Sequence, residues 1–180
     1  MNIVITILLG IVGIIALLLI IAIFLKKEHY VKREIVINAP GLKVFDFLKL
    51  LKNQDKFNKW AKADPERKWE YKGTDGTVGF IISWNGNKNA GEGEKEITNI
   101  VDGKKIETQI RFVRPMKTIA DVIMEIESIS DNQTKVNLIN SGTLKYPMNI
   151  FIPLAEKNFP KDMDNSLATL KKILESDSVQ

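Results

Sequence analysis

The stretch KIETQIRFVRPMKTIADVIMEIESISDNQTKVNLINSG, residues 105–142, decides the fold. Apolar and polar side chains alternate through Lys105–Phe112, Thr118–Ile129 and Lys135–Gly142, the period of strands with one face buried. Asp131-Asn132 separates the last two as a tight turn, and Asp102-Gly103 precedes the first. Neighbouring strands joined by short turns run antiparallel, so the segment reads as a meander. Ile106, Ile110 and Phe112, then Val122, Met124 and Ile126, fall on one face, with Asp121, Glu125 and Glu127 on the other. That acidic row reads as a solvated strand face and not as a carboxylate catalytic pair.

Upstream the same period continues. Val78, Phe80, Ile82 and Trp84 alternate, Gly86-Asn87-Lys88-Asn89 makes a turn, and Glu92–Ile100 adds another strand. Before it, Trp69-Glu70-Tyr71 leads into the turn Gly73-Thr74-Asp75-Gly76. Nearer the start, Tyr30 to Asn38 reads as a strand. Ala39-Pro40-Gly41 then opens a helix whose apolar side is Val44, Phe45, Phe47, Leu48 and Leu51, and a second short helix is expected over 54–61. Downstream, Met163, Leu167, Leu170 and Leu174 recur at spacings of four, three and four, one face of a helix. Pro153 and Pro160 precede them, so Met148 to Gln180 is expected to be a loop or short helix followed by a main helix with Pro160 near its first turn. The order is α+β: strand, two helices, meander, long helix, with that last helix available to cover the apolar face of the sheet.

The chain opens differently. Ile3 to Leu25 carries no charge and only Thr6, Gly10 and Gly13 among large apolar residues and alanines. As a helix it is about 34 Å long, enough to cross a hydrocarbon core of about 30 Å. Apolar on every side, it lacks the polar face of a core helix. A cleaved signal peptide is disfavoured by the absence of a basic residue before the run, by its length, and by the lack of a small-x-small site near Ala22-Ile23-Phe24. An uncleaved single-pass anchor over residues 1–28, a soluble domain over 29–176 and a tail over 177–180 are expected. Lys26, Lys27, Lys32 and Arg33 follow the run, which by the positive-inside rule favours a cytoplasmic domain.

All 26 basic and 22 acidic residues lie in 26–180, after the apolar run, and are interleaved, for a net charge of +4, so a one-faced nucleic-acid surface is not expected. Lys26 and Lys27 fit among lipid head groups. Without cysteine there is no disulfide, iron–sulfur cluster or thiol nucleophile. The single histidine, His29, stands at the membrane boundary and reads as a solvated interfacial residue. No catalytic residue, metal motif or cofactor-binding motif emerges; Gly91-Glu92-Gly93 lacks the third glycine of a phosphate loop.

Taken in order, Arg33-Glu34-Ile35-Val36-Ile37-Asn38-Ala39-Pro40 before Val44-Phe45, Trp60 with Asp64-Pro65, Ile82-Ser83-Trp84-Asn85-Gly86-Asn87 before Gly91-Glu92-Gly93, Phe112 near Pro115, Tyr146-Pro147-Met148-Asn149 and Leu167-x-x-Leu170-Lys171 resemble the START-like, or SRPBCC, superfamily. The likeness is to its membrane-anchored bacterial members labelled polyketide cyclase/dehydrase-like. It implies a helix-grip fold, in which a curved antiparallel sheet wraps a long C-terminal helix and leaves an elongated cavity. The sequence departs from that family at Gln54, Asp55, Phe57 and Lys59, near the cavity mouth, and at Lys95, where an apolar residue is usual. Lys95 either reaches solvent or brings a positive charge toward the cavity, and solvent is expected because an unpaired buried ammonium is costly.

On that fold the residues expected to line a ligand are Trp60, Phe80, Ile82, Trp84, Ile110, Phe112, Val122, Met124, Met148 and Phe151. Each aliphatic one reads as well as core filling, and each tryptophan as packing with its indole N–H satisfied locally. The function expected is membrane-tethered binding of a lipid or other small hydrophobic ligand. The alternatives are a cyclase/dehydratase-type enzyme guided by groups such as Trp60 and Asn85, and a surface-interaction or chaperone-like module.

Overall fold

In the computed structural model the described residues are 2–59, 64 and 66–176. Helix α1 (Ile3–Phe24) is followed by strand β1 (Glu28–Ile37), helices α2 (Gly41–Leu48) and α3 (Leu51–Phe57), and strands β2 (Lys68–Lys72), β3 (Ile81–Asn85), β4 (Glu92–Val101), β5 (Lys105–Arg114), β6 (Thr118–Ser130) and β7 (Gln133–Thr143). A short 3-10 helix, Met148–Phe151, then leads into α4 (Ile152–Ser176). The seven strands form one antiparallel sheet in the order β1-β7-β6-β5-β4-β3-β2. The meander runs from β2 to β7, and β1 closes against its far end. With α4 lying along the sheet, this is the helix-grip fold.

Local chemistry sets the elements. Two carboxylate oxygens of Asp75 accept from the Leu51 and Lys52 amides, satisfying the free N–H groups at the start of α3 from a distant loop. The Thr134 hydroxyl donates to the Ala39 carbonyl at 2.7 Å and fixes β7 to the entry of α2. A register shift between Ile97 and Asn99 moves the inward position from 99 to Ile100, the irregularity that bends a strand.

Several expectations are corrected. Lys68–Lys72 is a seventh strand; exposed on the sheet edge, it lacks the apolar alternation that marks the others. The expected strand start at Val78 fails because Gly73, Gly76 and Gly79 all take positive φ, so the chain turns until Ile81. Gly79 and Phe80 still bond to the β4 edge, the Gly79 amide donating to the Ile97 carbonyl and the Phe80 carbonyl accepting from the Ile97 amide. The second helix covers Leu51–Phe57 and not 54–61. Helix α4 is continuous through Pro160, which lies well inside it. Proline removes one helical hydrogen bond there, yet buried residues on either side, Ile152 before it and Met163 onward after it, hold both halves.

The core divides in two. Met163, Leu167, Leu170 and Leu174 of α4 pack with Val122, Met124, Ile126, Val136 and Leu138 of the sheet and with Val44, Phe45 and Leu48 of α2. Burial of each such side chain contributes about 1.5–3 kcal/mol. A smaller cluster of Leu51, Phe80, Ile82 and Ile97 lies under α3. On the outer face Arg111 bridges Glu94 and Glu96 at 2.5 and 2.6 Å, and Lys135 meets Glu127 at 2.7 Å. The acidic row of β6 is on this face, as read from the alternation: Asp121 accepts from Gln109 and Glu125 from Asn137.

Candidate ligand site at the open end of the sheet

The antiparallel register assigns every side chain to a face. One inward rung runs Ile82, Lys95, Ile110, Ala120, Gly142, His29 across β3, β4, β5, β6, β7 and β1. The next rung toward the sheet end carries Trp84, Gly93 and Phe112. At the opposite end, the rungs of Val122, Met124 and Ile126 are sealed beneath α4. Here Trp84, Ile110 and Phe112 remain only half-buried although they face inward. The concave face is therefore closed at one end and open at the other.

Trp84 is held from two sides. Its ring meets Phe112 edge-on, with centroids 5.8 Å apart, and its indole N–H donates to the Ala90 carbonyl at 3.1 Å. Gly93 provides the space for the ring: a Cβ there would stand 2.8 Å from Trp84 Cζ2 and 2.7 Å from the Arg111 carbonyl oxygen. After α3, Lys59 lies beside α4: its amide donates to Ser166 Oγ at 3.2 Å and its ammonium pairs with Asp162. The Asp64 carboxylate accepts from the Asn87 amide at 2.7 Å, next to the β3–β4 turn. Trp60, expected in the site, falls outside the described residues.

Lys95 overturns its expectation. Facing Ile82 and Ile110 on the concave side, it is half-buried with its ammonium end enclosed, and Nζ donates to Gln54 Oε1. Burial pushes the amine down to about 8, partly opposed by the nearby Asp55 carboxylate. Gln54 is itself buried, and its amide donates to the Leu48 carbonyl at 2.9 Å. Burial likewise raises Asp55, against the opposing charges of Arg67 and Lys95. Arg67 lies 3.8 Å from Asp55 and stacks 3.8 Å above the Trp69 ring. Strand parity was readable at Lys95; the acceptor that makes its burial tolerable comes from α3, through a contact 41 residues away in sequence.

His29 is also displaced from its expectation. It is buried, stands 2.8 Å from Asn140 Oδ1 through Nε2, and meets Phe159 edge-on at 5.6 Å. Gly142 opposite leaves room for the ring, since a Cβ there would lie 2.8 Å from His29 Cε1. Among the described residues, no cluster of three or more His, Asp or Glu side chains converges as metal ligands would.

The other residues expected to line a ligand divide by location. Ile82 borders the open end but is buried under α3 together with Phe80. Val122 and Met124 are packed into the sealed half. Met148 and Phe151 are on the outside, in the 3-10 helix that touches the end of α1. The half of the concave face that the resemblance would leave as cavity is filled by the α4 leucines.

No protein-family model matches the sequence, and no curated protein matches it. Solved structures do share the fold. A truncated norcoclaurine synthase from Thalictrum flavum superposes with a TM-score of 0.63 at 14% identity, over 82% of this chain and 94% of that one. Protein CV1439 from Chromobacterium violaceum gives 0.58 at 13% identity, over 81% and 96%. The di-domain ARO/CYC StfQ from the steffimycin biosynthetic pathway gives 0.61 at 8% identity, over 84% of this chain and 52% of that one. What this chain shares with these structures is the helix-grip fold, here preceded by one N-terminal helix long and apolar enough to span a membrane.

Proposed function

We propose that this chain binds a lipid or other small hydrophobic molecule at the open end of the concave face while α1 tethers it to a membrane. The observation that carries the reading is the inward-facing but half-exposed set Trp84, Ile110 and Phe112, beside a sealed half of the same face. Apolar surface facing inward and left open is the usual lining of a small-molecule site. Lys95 supplies one convergent polar group, so a ligand with an acceptor or acidic end fits better than a pure hydrocarbon. The lysines after α1 favour a cytoplasmic domain.

Mass spectrometry of apolar molecules extracted from the purified full chain tests this. A stoichiometric species that is lost when Ile110→Trp fills the open end supports binding; an empty extract together with no uptake of added lipid refutes it. A second reading, a cyclase/dehydratase-type enzyme, is favoured by the enclosed Lys95 amine, and requires turnover that disappears in Lys95→Met.

A further inference from the structure

The end of α1 is bound into the domain. Asn149, fully buried in the 3-10 helix, donates through Nδ2 to the Ala22 carbonyl at 2.6 Å and the Leu25 carbonyl at 3.0 Å. Lys26 pairs with Glu156 of α4 at 2.6 Å, and the Leu144 amide donates to the Lys27 carbonyl at 2.8 Å. These contacts come from three separate segments, so α1 does not end in a free linker; its exit is fixed against the start of α4.

Around this junction the surface is apolar. Phe24 is 83% exposed, Met148 41%, Phe151 50% and Leu154 57%. Phe151 and Leu154 are three residues apart, the spacing that puts neighbours on one helical side, and Asn149 between Met148 and Phe151 is the residue that grips α1. Lys26, Lys27, Lys145 and Lys157, all exposed, lie within a few residues of the patch along the chain, Lys26 paired with Glu156. An apolar patch at the end of an apolar helix of spanning length, with exposed lysines close by in the chain, matches the layering of a bilayer surface: acyl boundary below and anionic head groups above.

We infer that Met148, Phe151 and Leu154 insert into the interfacial layer of the bilayer beside the anchor, holding the domain in one orientation on the membrane. This rests on the reading of α1 as a membrane span. The seating also brings a shallow, open depression at the sheet end, bordered by Leu25, Lys27, Tyr30, Asp121 and Glu156, to head-group level. The domain then meets a membrane-derived ligand from a fixed side.

The absence of cysteine makes single-site labelling direct. The full chain in vesicles of phosphatidylcholine with phosphatidylglycerol is labelled with an environment-sensitive fluorophore at Ile14→Cys, Phe151→Cys, Leu154→Cys or Val101→Cys. By the strand register, Val101 lies at the sheet end remote from Glu28. Ile14, Phe151 and Leu154 labels are expected to emit to the blue and lose most of their emission to nitroxide-bearing lipids, while Val101 is quenched by aqueous iodide. An Ile14 label open to iodide refutes the anchor and this inference with it. Quenching of Ile14 by lipid, with Phe151 and Leu154 labels open to iodide, refutes the seating alone. Labels at 151 and 154 shielded from both quenchers would mean a protein-covered surface, which also overturns it.

Discussion

Replacing Lys95 with methionine tests the least expected feature of the interior. The ammonium end is enclosed among Ile82, Ile110 and α3, and burial holds its pKa near 8 against an ordinary 10.5. Below pH 8 both folded and unfolded chains carry the proton, and the cost of burying the charge is constant. Between pH 8 and 10.5 the unfolded chain still binds a proton that the folded chain has released, so stability rises with pH. At 1.36 kcal/mol per unit, the wild type should gain about 2.5 kcal/mol between pH 7 and pH 10 from this group alone. Lys95→Met abolishes that gain while leaving Gln54 Oε1 without its donor, at a pH-independent cost of about 1–3 kcal/mol. Urea titrations of the detergent-solubilised full chain, followed by tryptophan emission, give both curves, and their difference cancels the other titrating groups. Wild-type stability should climb relative to the variant across that interval. A constant difference from pH 7 to pH 10 would mean that the ammonium is in water, and the inward placement of Lys95 would be wrong.

Other perturbations follow the same logic. Gly93→Ala forces a Cβ to within 2.8 Å of Trp84; a loss of about 1–3 kcal/mol and a shifted tryptophan emission are expected. Leu170→Ala opens a hole under a fully buried side chain, and denaturation should register about 2–5 kcal/mol. Asn149→Ala removes both donors to the end of α1; hydrogen exchange in the 3-10 helix should accelerate roughly tenfold, the equivalent of about 1.4 kcal/mol.

The face that a candidate site residue occupies was legible only where one strand determines it. Trp84, Ile110 and Phe112 were placed on the inward face by alternation, and the register agrees. Alternation gives the side of the sheet but not what lies above it, so it could not separate these three from Val122 and Met124, which α4 seals. Met148 and Phe151 belong to no alternating run; docking of the 3-10 helix against α1 put them outside.

What the sequence determined by itself rests on interactions close along the chain or repeated at a fixed period. The apolar run of α1, the meander, and the row Met163, Leu167, Leu170, Leu174 fall in this group, because hydrophobic burial acts on a whole face at once. The tertiary structure decided what depends on a single distant partner. Pro160 is accommodated because packing secures both halves of α4. Lys95 turns inward because Gln54 waits there with an acceptor, and His29 is buried because Asn140 bonds it and Gly142 leaves it room. Burial of a polar group is favourable only where a partner replaces its water, and the position of that partner is a property of the fold.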